Sequence, residues 1–170
     1  MSGRELPLQL ARRLALLGQP GAGTTSLARR LLLAYHPLGM AACPVGGPLQ
    51  VLDGSGEDDL LEVIAQLRGA AAAAMVIDAA DPSHGHAAFA AQLVGAPRLV
   101  AAVNKMDLVG YTRAPFERAR AVLERVAAAC GAPTPICVPV SAREDELITA
   151  ASGRASWYRG PTLAEALLEK

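Results

Sequence analysis

Five times along this chain a short apolar run gives way to a polar or glycine-rich turn, with segments of helical apolar spacing between the runs. The runs are 13–17, 49–52, 71–77, 98–103 and 135–140. Helical spacing follows at Leu27, Leu31 and Ala34, at Leu60, Val63, Ile64 and Leu67, and at Phe89, Ala90, Leu93 and Val94. It returns at Phe116, Ala119, Leu123, Val126 and Cys130, in a helix that Pro115 is expected to open. A last helix is expected from Thr162, where Thr162 and Glu165 have capping-box spacing and Leu163, Ala166 and Leu167 pack inward. Strand and helix in alternation call for an α/β fold: a mostly parallel sheet of about five or six strands with helices on both faces. Ligands of such sheets bind at the C-terminal strand ends, so the turns there carry the functional argument.

Bulk properties narrow the class. A 170-residue chain with 52% hydrophobic and 19% charged residues buries a core and reads as one domain. Sixteen basic and sixteen acidic residues cancel, so neither nucleic acid nor an anionic membrane is an expected partner. The longest apolar run, Ala70 to Ile77, is far short of the ~20 residues of a membrane span. Cys43, Cys130 and Cys137 are odd in number and lack metal spacing, which favours small buried side chains in a reducing, cytoplasmic setting. His84 and His86 stand two apart without a patterned carboxylate or Cys, so a solvated loop is expected there. Asp78 is expected to cap its loop.

Four strand-end turns carry chemistry. Gly18-x-x-x-x-Gly23-Thr24-Thr25 has the glycine spacing of a phosphate loop, whose N–H groups cradle phosphate at a helix N-terminus. Gly18, Gly21, Ala22, Gly23, Thr24, Thr25 and Ser26 are therefore candidate nucleotide contacts. Thr24 occupies the position of the usual Lys, whereas Thr25 keeps a hydroxyl for Mg²⁺. Asp53-x-x-Gly56 follows at another strand end. Asp53 can hold a water on Mg²⁺, and the Gly56 N–H can meet a γ-phosphate. Asn104-Lys105-Met106-Asp107 ends the fourth run. There the Asp107 carboxylate can accept from guanine N1–H and the 2-amino group, which adenine does not offer. Asn104 can hold loop and base in register, and the Lys105 stem can cover a purine face. Ser141-Ala142 ends the last run, where backbone groups can reach guanine O6.

Together these motifs resemble the P-loop NTPase G domain of translation-factor-like GTPases. Within that class the likeness is to the GTPase subunit of sulfate adenylyltransferase. It is carried by Asn104-Lys105-Met106-Asp107-Leu108-Val109-Gly110-Tyr111, Phe116-Glu117-Arg118, Val138-Pro139-Val140-Ser141-Ala142 and Trp157-Tyr158-Arg159-Gly160-Pro161-Thr162-Leu163. The resemblance implies a three-layer G domain over 1–170, in which 1–11 is a leader, either an edge strand or disordered. The family's β-barrel domains are expected to be absent. It also implies GTP or GDP with Mg²⁺, and a separate sulfate-activating catalytic subunit or another protein as partner. Trp157 and Tyr158 are expected to pack the last helix onto the body.

Three departures bear on turnover. The phosphate-loop Lys is Thr24, and residues 36–48 contain no Thr or Ser to sense a γ-phosphate. Glu57 stands where a water-orienting His or Gln is usual and is the one catalytic candidate. Two readings remain open on the sequence. One is a guanine-nucleotide-binding G domain with slow or lost GTP hydrolysis; the other is a degenerate pseudo-GTPase that serves as a docking scaffold.

Overall fold

The computed structural model describes residues 12–18, 20–34, 49–53, 70–82 and 98–168, with backbone only for 12–13, 49–53 and 130. The described elements run β1 (Arg12–Gly18), α1 (Thr24–Ala34), β2 (Leu49–Asp53), β3 (Ala72–Asp78), β4 (Leu99–Asn104), a 3₁₀ turn (Met106–Val109), α2 (Arg113–Cys130), β5 (Ile136–Pro139) and α3 (Leu163–Leu168). The expected helices at 57–67 and around Phe89, the loop at 36–48, the leader, Cys43, His84 and His86 lie outside the described residues.

All pairings of the five strands are parallel, in the order β2-β1-β3-β4-β5. Parallel strands covered on both faces read as continuous apolar runs, and every residue of β3 from Ala72 to Ile77 is buried. Alternate strand residues feed two cores. Leu14, Leu16, Ala74, Val76 and Ala102 pack with Leu27 and Leu31 of α1 and Leu163 and Leu167 of α3. Ala15, Leu17, Met75, Ala101 and Val103 pack with Phe116, Ala119 and Leu123 of α2. The result is a three-layer α/β fold. The abundant alanines of β3 and β4 let the helices approach the sheet closely.

Several boundaries differ from the sequence expectation. Helix α1 begins at Thr24, because the Leu27 N–H already reaches the Gly23 carbonyl at 3.0 Å. Helix α2 begins at Arg113, two residues before Pro115. Proline is tolerated there because first-turn N–H groups have no intrahelical acceptor. Its buried stripe runs through Ala127, while Val126 is half-buried. The capping box forms, with the Glu165 carboxylate accepting from the Thr162 N–H at 2.7 Å and the Glu165 N–H donating to Thr162 Oγ1 at 3.3 Å. The next two N–H groups of α3 donate to the carbonyls of Leu147 and Ile148, so the loop after β5 completes this helix's start.

Trp157 and Tyr158 pack against the core that includes α3, as expected, and against the core on the other face as well. They pack on Phe116 of α2, with the Trp157 ring 5.2 Å away, and the Trp157 indole N–H donates to the Tyr111 carbonyl at 2.7 Å. The Tyr158 hydroxyl donates to the carbonyls of Pro161 and Cys137. This segment therefore fixes the turn that leaves β4 and covers β5, the edge strand of the described sheet. The chain passes from β1 to β2 on one side and on to β3 on the other. The order reverses between β1 and β3, and a crevice opens above such a point.

Candidate functional site

The turn from β1 to α1 lies above that crevice. Gly21 and Gly23 adopt φ of +84° and +93°, which only glycine takes without strain. A Cβ on Gly23 would also collide with Asn104 Nδ2, so backbone conformation and close approach both require glycine there. The Thr24 side chain turns inward, 1% exposed and against Gly18, and its Oγ1 is the one buried side-chain polar atom without a partner among the described residues. Leaving such a hydroxyl unpaired costs about 1–3 kcal/mol. Thr25 and Ser26 are exposed in the first turn of α1. Residues 20–25 thus present glycine-turn N–H geometry with no charged side chain.

The turns after β4 and β5 are cross-linked to this loop. Asn104, 2% exposed, donates through Nδ2 to the Ala22 carbonyl at 2.8 Å and accepts through Oδ1 from the Ala142 N–H at 3.0 Å. The Ser141 hydroxyl donates to Asp107 Oδ1 at 2.7 Å and accepts from the Glu144 N–H at 3.1 Å. The carboxylate of Asp107 is thereby oriented by a neighbour that is itself held. The structure changes one detail of the expectation for Ser141-Ala142. The N–H of Ala142 is engaged by Asn104, and that of Ser141 by the Glu146 carbonyl at 3.2 Å. Lys105 sits at φ 65°, and its ammonium meets Asp78 Oδ2 at 2.7 Å. The other oxygen of Asp78 accepts from the Ala80 N–H at 2.9 Å. The loop-capping role expected of Asp78 is present, and an ion pair is added to it.

The supporting role of four residues escaped the sequence reading. Arg30 of α1 donates from Nε to the Ala142 carbonyl and from Nη2 to the Arg143 carbonyl, both at 3.0 Å. Glu146, 1% exposed, accepts from the Ser152 N–H and hydroxyl and pairs its backbone with Ser141. These contacts stabilise a loop in which Asp145 and Leu147 hold positive φ. Tyr111 donates to Glu144 at 2.7 Å, so the turns after β4 and β5 are also tied at the surface. Burial raises the Tyr111 pKa, and the bond to Glu144 adds to the shift. Arg143 follows Ser141-Ala142 and lines the cleft. Tyr111 ends a stretch already singled out in the sequence and Arg143 adjoins a motif, whereas Arg30 and Glu146 carried no sequence signal.

These groups surround a cleft of about 510 Å³. Of the sequence candidates it gathers Gly23, Ser26, Asn104, Lys105, Asp107 and Ala142, together with Arg29, Arg30 and Arg143. Four cationic side chains against the one carboxylate of Asp107 suit an anionic ligand. Leu33 and Leu108, 65% and 62% exposed, add apolar surface at its rim. Gly21 and Ala22 instead line a second cavity of about 150 Å³, with Pro20, Val76, Ile77, Asp78 and Asp81. Gly18 and Thr24 line neither cavity. Asp53 ends β2 opposite Leu16, on the strand-end edge that carries the phosphate loop, while Gly56 and Glu57 lie outside the described residues. Cys137 is away from both cavities, and burial pushes its thiol up to about 12, so it is not a thiolate at neutral pH. Among the described residues no group of three or more His, Cys, Asp or Glu is placed to hold a metal, and no helix is long and apolar enough to cross a membrane.

No protein-family model matches the chain. Among curated proteins it is 34% identical over 123 residues to elongation factor 1-alpha of Pyrococcus furiosus, covering 70% of this chain and 29% of that protein. The bifunctional enzyme NodQ of a Rhizobium strain is 42% identical over 77 residues, covering 45% of this chain and 12% of NodQ. Among solved structures, bacterial selenocysteine-specific elongation factor EF-Sec superposes with a TM-score of 0.64 at 16% identity, over 92% of this chain and 28% of that one. Sup35 complexed with GMPPNP gives 0.61 at 18% identity, over 97% of this chain and 46% of that one. The chain spans under a third of the elongation factors it matches.

Proposed function

Taking this chain as a translation-factor-like G domain, we propose that it binds a guanine nucleotide, GDP or GTP with Mg²⁺, and that its GTP hydrolysis is slow or lost. The observation that carries the base assignment is the chain of bonds from Ser141 through Asp107, and from Ala142 through Asn104 to Ala22. A carboxylate oriented by Ser141 at the cleft wall suits a ligand edge with two adjacent N–H donors, which guanine has and adenine lacks. The base lies against the Lys105 stem and the apolar rim. The phosphates run toward Gly23 and the N-terminus of α1.

The chain's residues fit Mg²⁺. This ion keeps most of its waters and needs only one or two protein groups beside phosphate oxygens. Thr25 in the first turn of α1 and Asp53 at the end of the strand adjacent to β1 would supply them. When bound, the ion neutralises phosphate charge. It does not replace the missing lysine, since Thr24 turns its hydroxyl into the protein. Removing one partner of a close buried charge pair costs about 2–5 kcal/mol, so phosphate affinity and turnover both suffer. Glu57 would place a carboxylate near the γ-phosphate and is a poor aid to hydrolysis. The motif resemblance to the GTPase subunit of sulfate adenylyltransferase, carried by Asn104 to Tyr111 and Trp157 to Leu163, supports a role beside a separate sulfate-activating catalytic subunit.

The orphaned Thr24 hydroxyl favours a second reading, a pseudo-GTPase that docks a protein and holds no nucleotide. Titration with fluorescent GDP, GTP and ATP analogues, with and without Mg²⁺, separates the two. Guanine-selective binding is expected. Absence of binding at millimolar GDP leaves the scaffold.

A further inference from the structure

We infer that Lys105 stands in for the absent phosphate-loop lysine, releasing Asp78 to take a phosphate oxygen; this rests on the guanine-nucleotide reading above. The argument begins from charge. Loop residues 20–25 carry no cationic side chain, yet the two positive-φ glycines retain the turn that offers N–H groups to an anion. The nearby cations are not equivalent. Arg30 is committed to the carbonyls of Ala142 and Arg143, and Arg29 and Arg143, like Lys105, line the larger cleft. Lys105 lines the larger cleft, while the carboxylate it holds, Asp78, lines the smaller cavity whose other wall is Pro20, Gly21 and Ala22. Its ammonium therefore touches a wall residue of the cavity beside the phosphate loop.

The pair is suited to exchange. Lys105 and Asp78 are 29% and 25% exposed, so solvent reaches the pair and the ammonium has a way out to the cleft. Asp78 keeps the Ala80 N–H when Lys105 leaves, so its carboxylate stays in place. A phosphate oxygen offers the ammonium the same charge and a comparable charge-assisted hydrogen bond. Lysine suits this role because its ammonium is a compact charge on a flexible stem. That stem covers the base in either position. Asp78 is thus a positioning residue, which sets how much of the lysine's charge the phosphate receives.

The test is calorimetric titration of the wild-type chain, Lys105→Met and Asp78→Asn with guanosine and with GDP, beside thermal melts of each. Lys105→Met keeps the apolar stem and removes only the charge. GDP affinity is expected to fall by about tenfold or more, and guanosine affinity by less than about threefold. Asp78→Asn is expected to tighten GDP by about threefold and leave guanosine unchanged. Equal losses for both ligands in Lys105→Met would overturn the phosphate role and leave the guanine reading standing. Failure of the wild-type chain to bind either ligand overturns both. Should Asp78→Asn melt early, Lys105→Met alone decides the matter.

Discussion

The two ends of the cleft are built to different standards. At the base end Asn104, Asp107, Ser141 and Ala142 each have a partner, and Arg30, Glu146 and Tyr111 hold those partners in turn. At the phosphate end the glycine geometry is retained, but Thr24 buries an unpaired hydroxyl where a cation is usual. A buried polar network is rigid when every member is satisfied, and one orphan in a loop leaves that loop the weaker element. The contrast suggests that recognition of the base and handling of phosphate are separable here, although Asn104 joins the two loops physically.

Substitutions can break or sharpen that contrast. The largest effect is expected from Asp107→Asn, which exchanges an acceptor for a donor at the base edge. GDP affinity should fall by about a hundredfold while xanthosine diphosphate gains, measured by competition against a fluorescent analogue. Retained guanine preference would remove Asp107 from the base site. Thr24→Lys should tighten GDP by at least about tenfold in the same assay, and an unchanged affinity would mean that the loop does not engage phosphate. Arg30→Met should weaken guanosine and GDP alike, by about fivefold, because it loosens the loop that carries Ser141 and Ala142. A loss confined to GDP would place Arg30 at the phosphates.

The smallest effect lies outside the cleft. Thr162→Ala should lower stability by about 1 kcal/mol in denaturant titration and leave nucleotide affinity unchanged. Hydrogen bonds from the Thr162 backbone and hydroxyl hold the Glu165 pKa below its ordinary value. A carboxylate depressed on folding stabilises above its unfolded pKa, and that contribution is lost as pH falls through the folded value. Glu165→Gln should therefore flatten the acid limb of the stability profile.

The alternation of strands and helices was legible because buried parallel strands are apolar throughout, as 71–77 and 99–103 are. Helix starts were less so. Gly23 launches α1 directly and Pro115 sits inside the first turn of α2, choices that only backbone hydrogen bonding shows. The base-end motifs could be read because their residues are contiguous. Their supports could not, since Arg30 reaches carbonyls of Ala142 and Arg143 that the sequence places 112 and 113 residues away. Asp78 read as a loop cap, and its ion pair to Lys105 depends on β3 and β4 ending side by side.

The separation of base reading from phosphate handling is tested most directly by titrating one series, guanosine, GMP, GDP and GTP, with ADP as the base control and Mg²⁺ present throughout. The account predicts strong preference for GDP over ADP, a modest gain in affinity with each of the first two phosphates, and GTP no tighter than GDP. GTP bound orders of magnitude more tightly than GDP, or ADP bound as well as GDP, would contradict it.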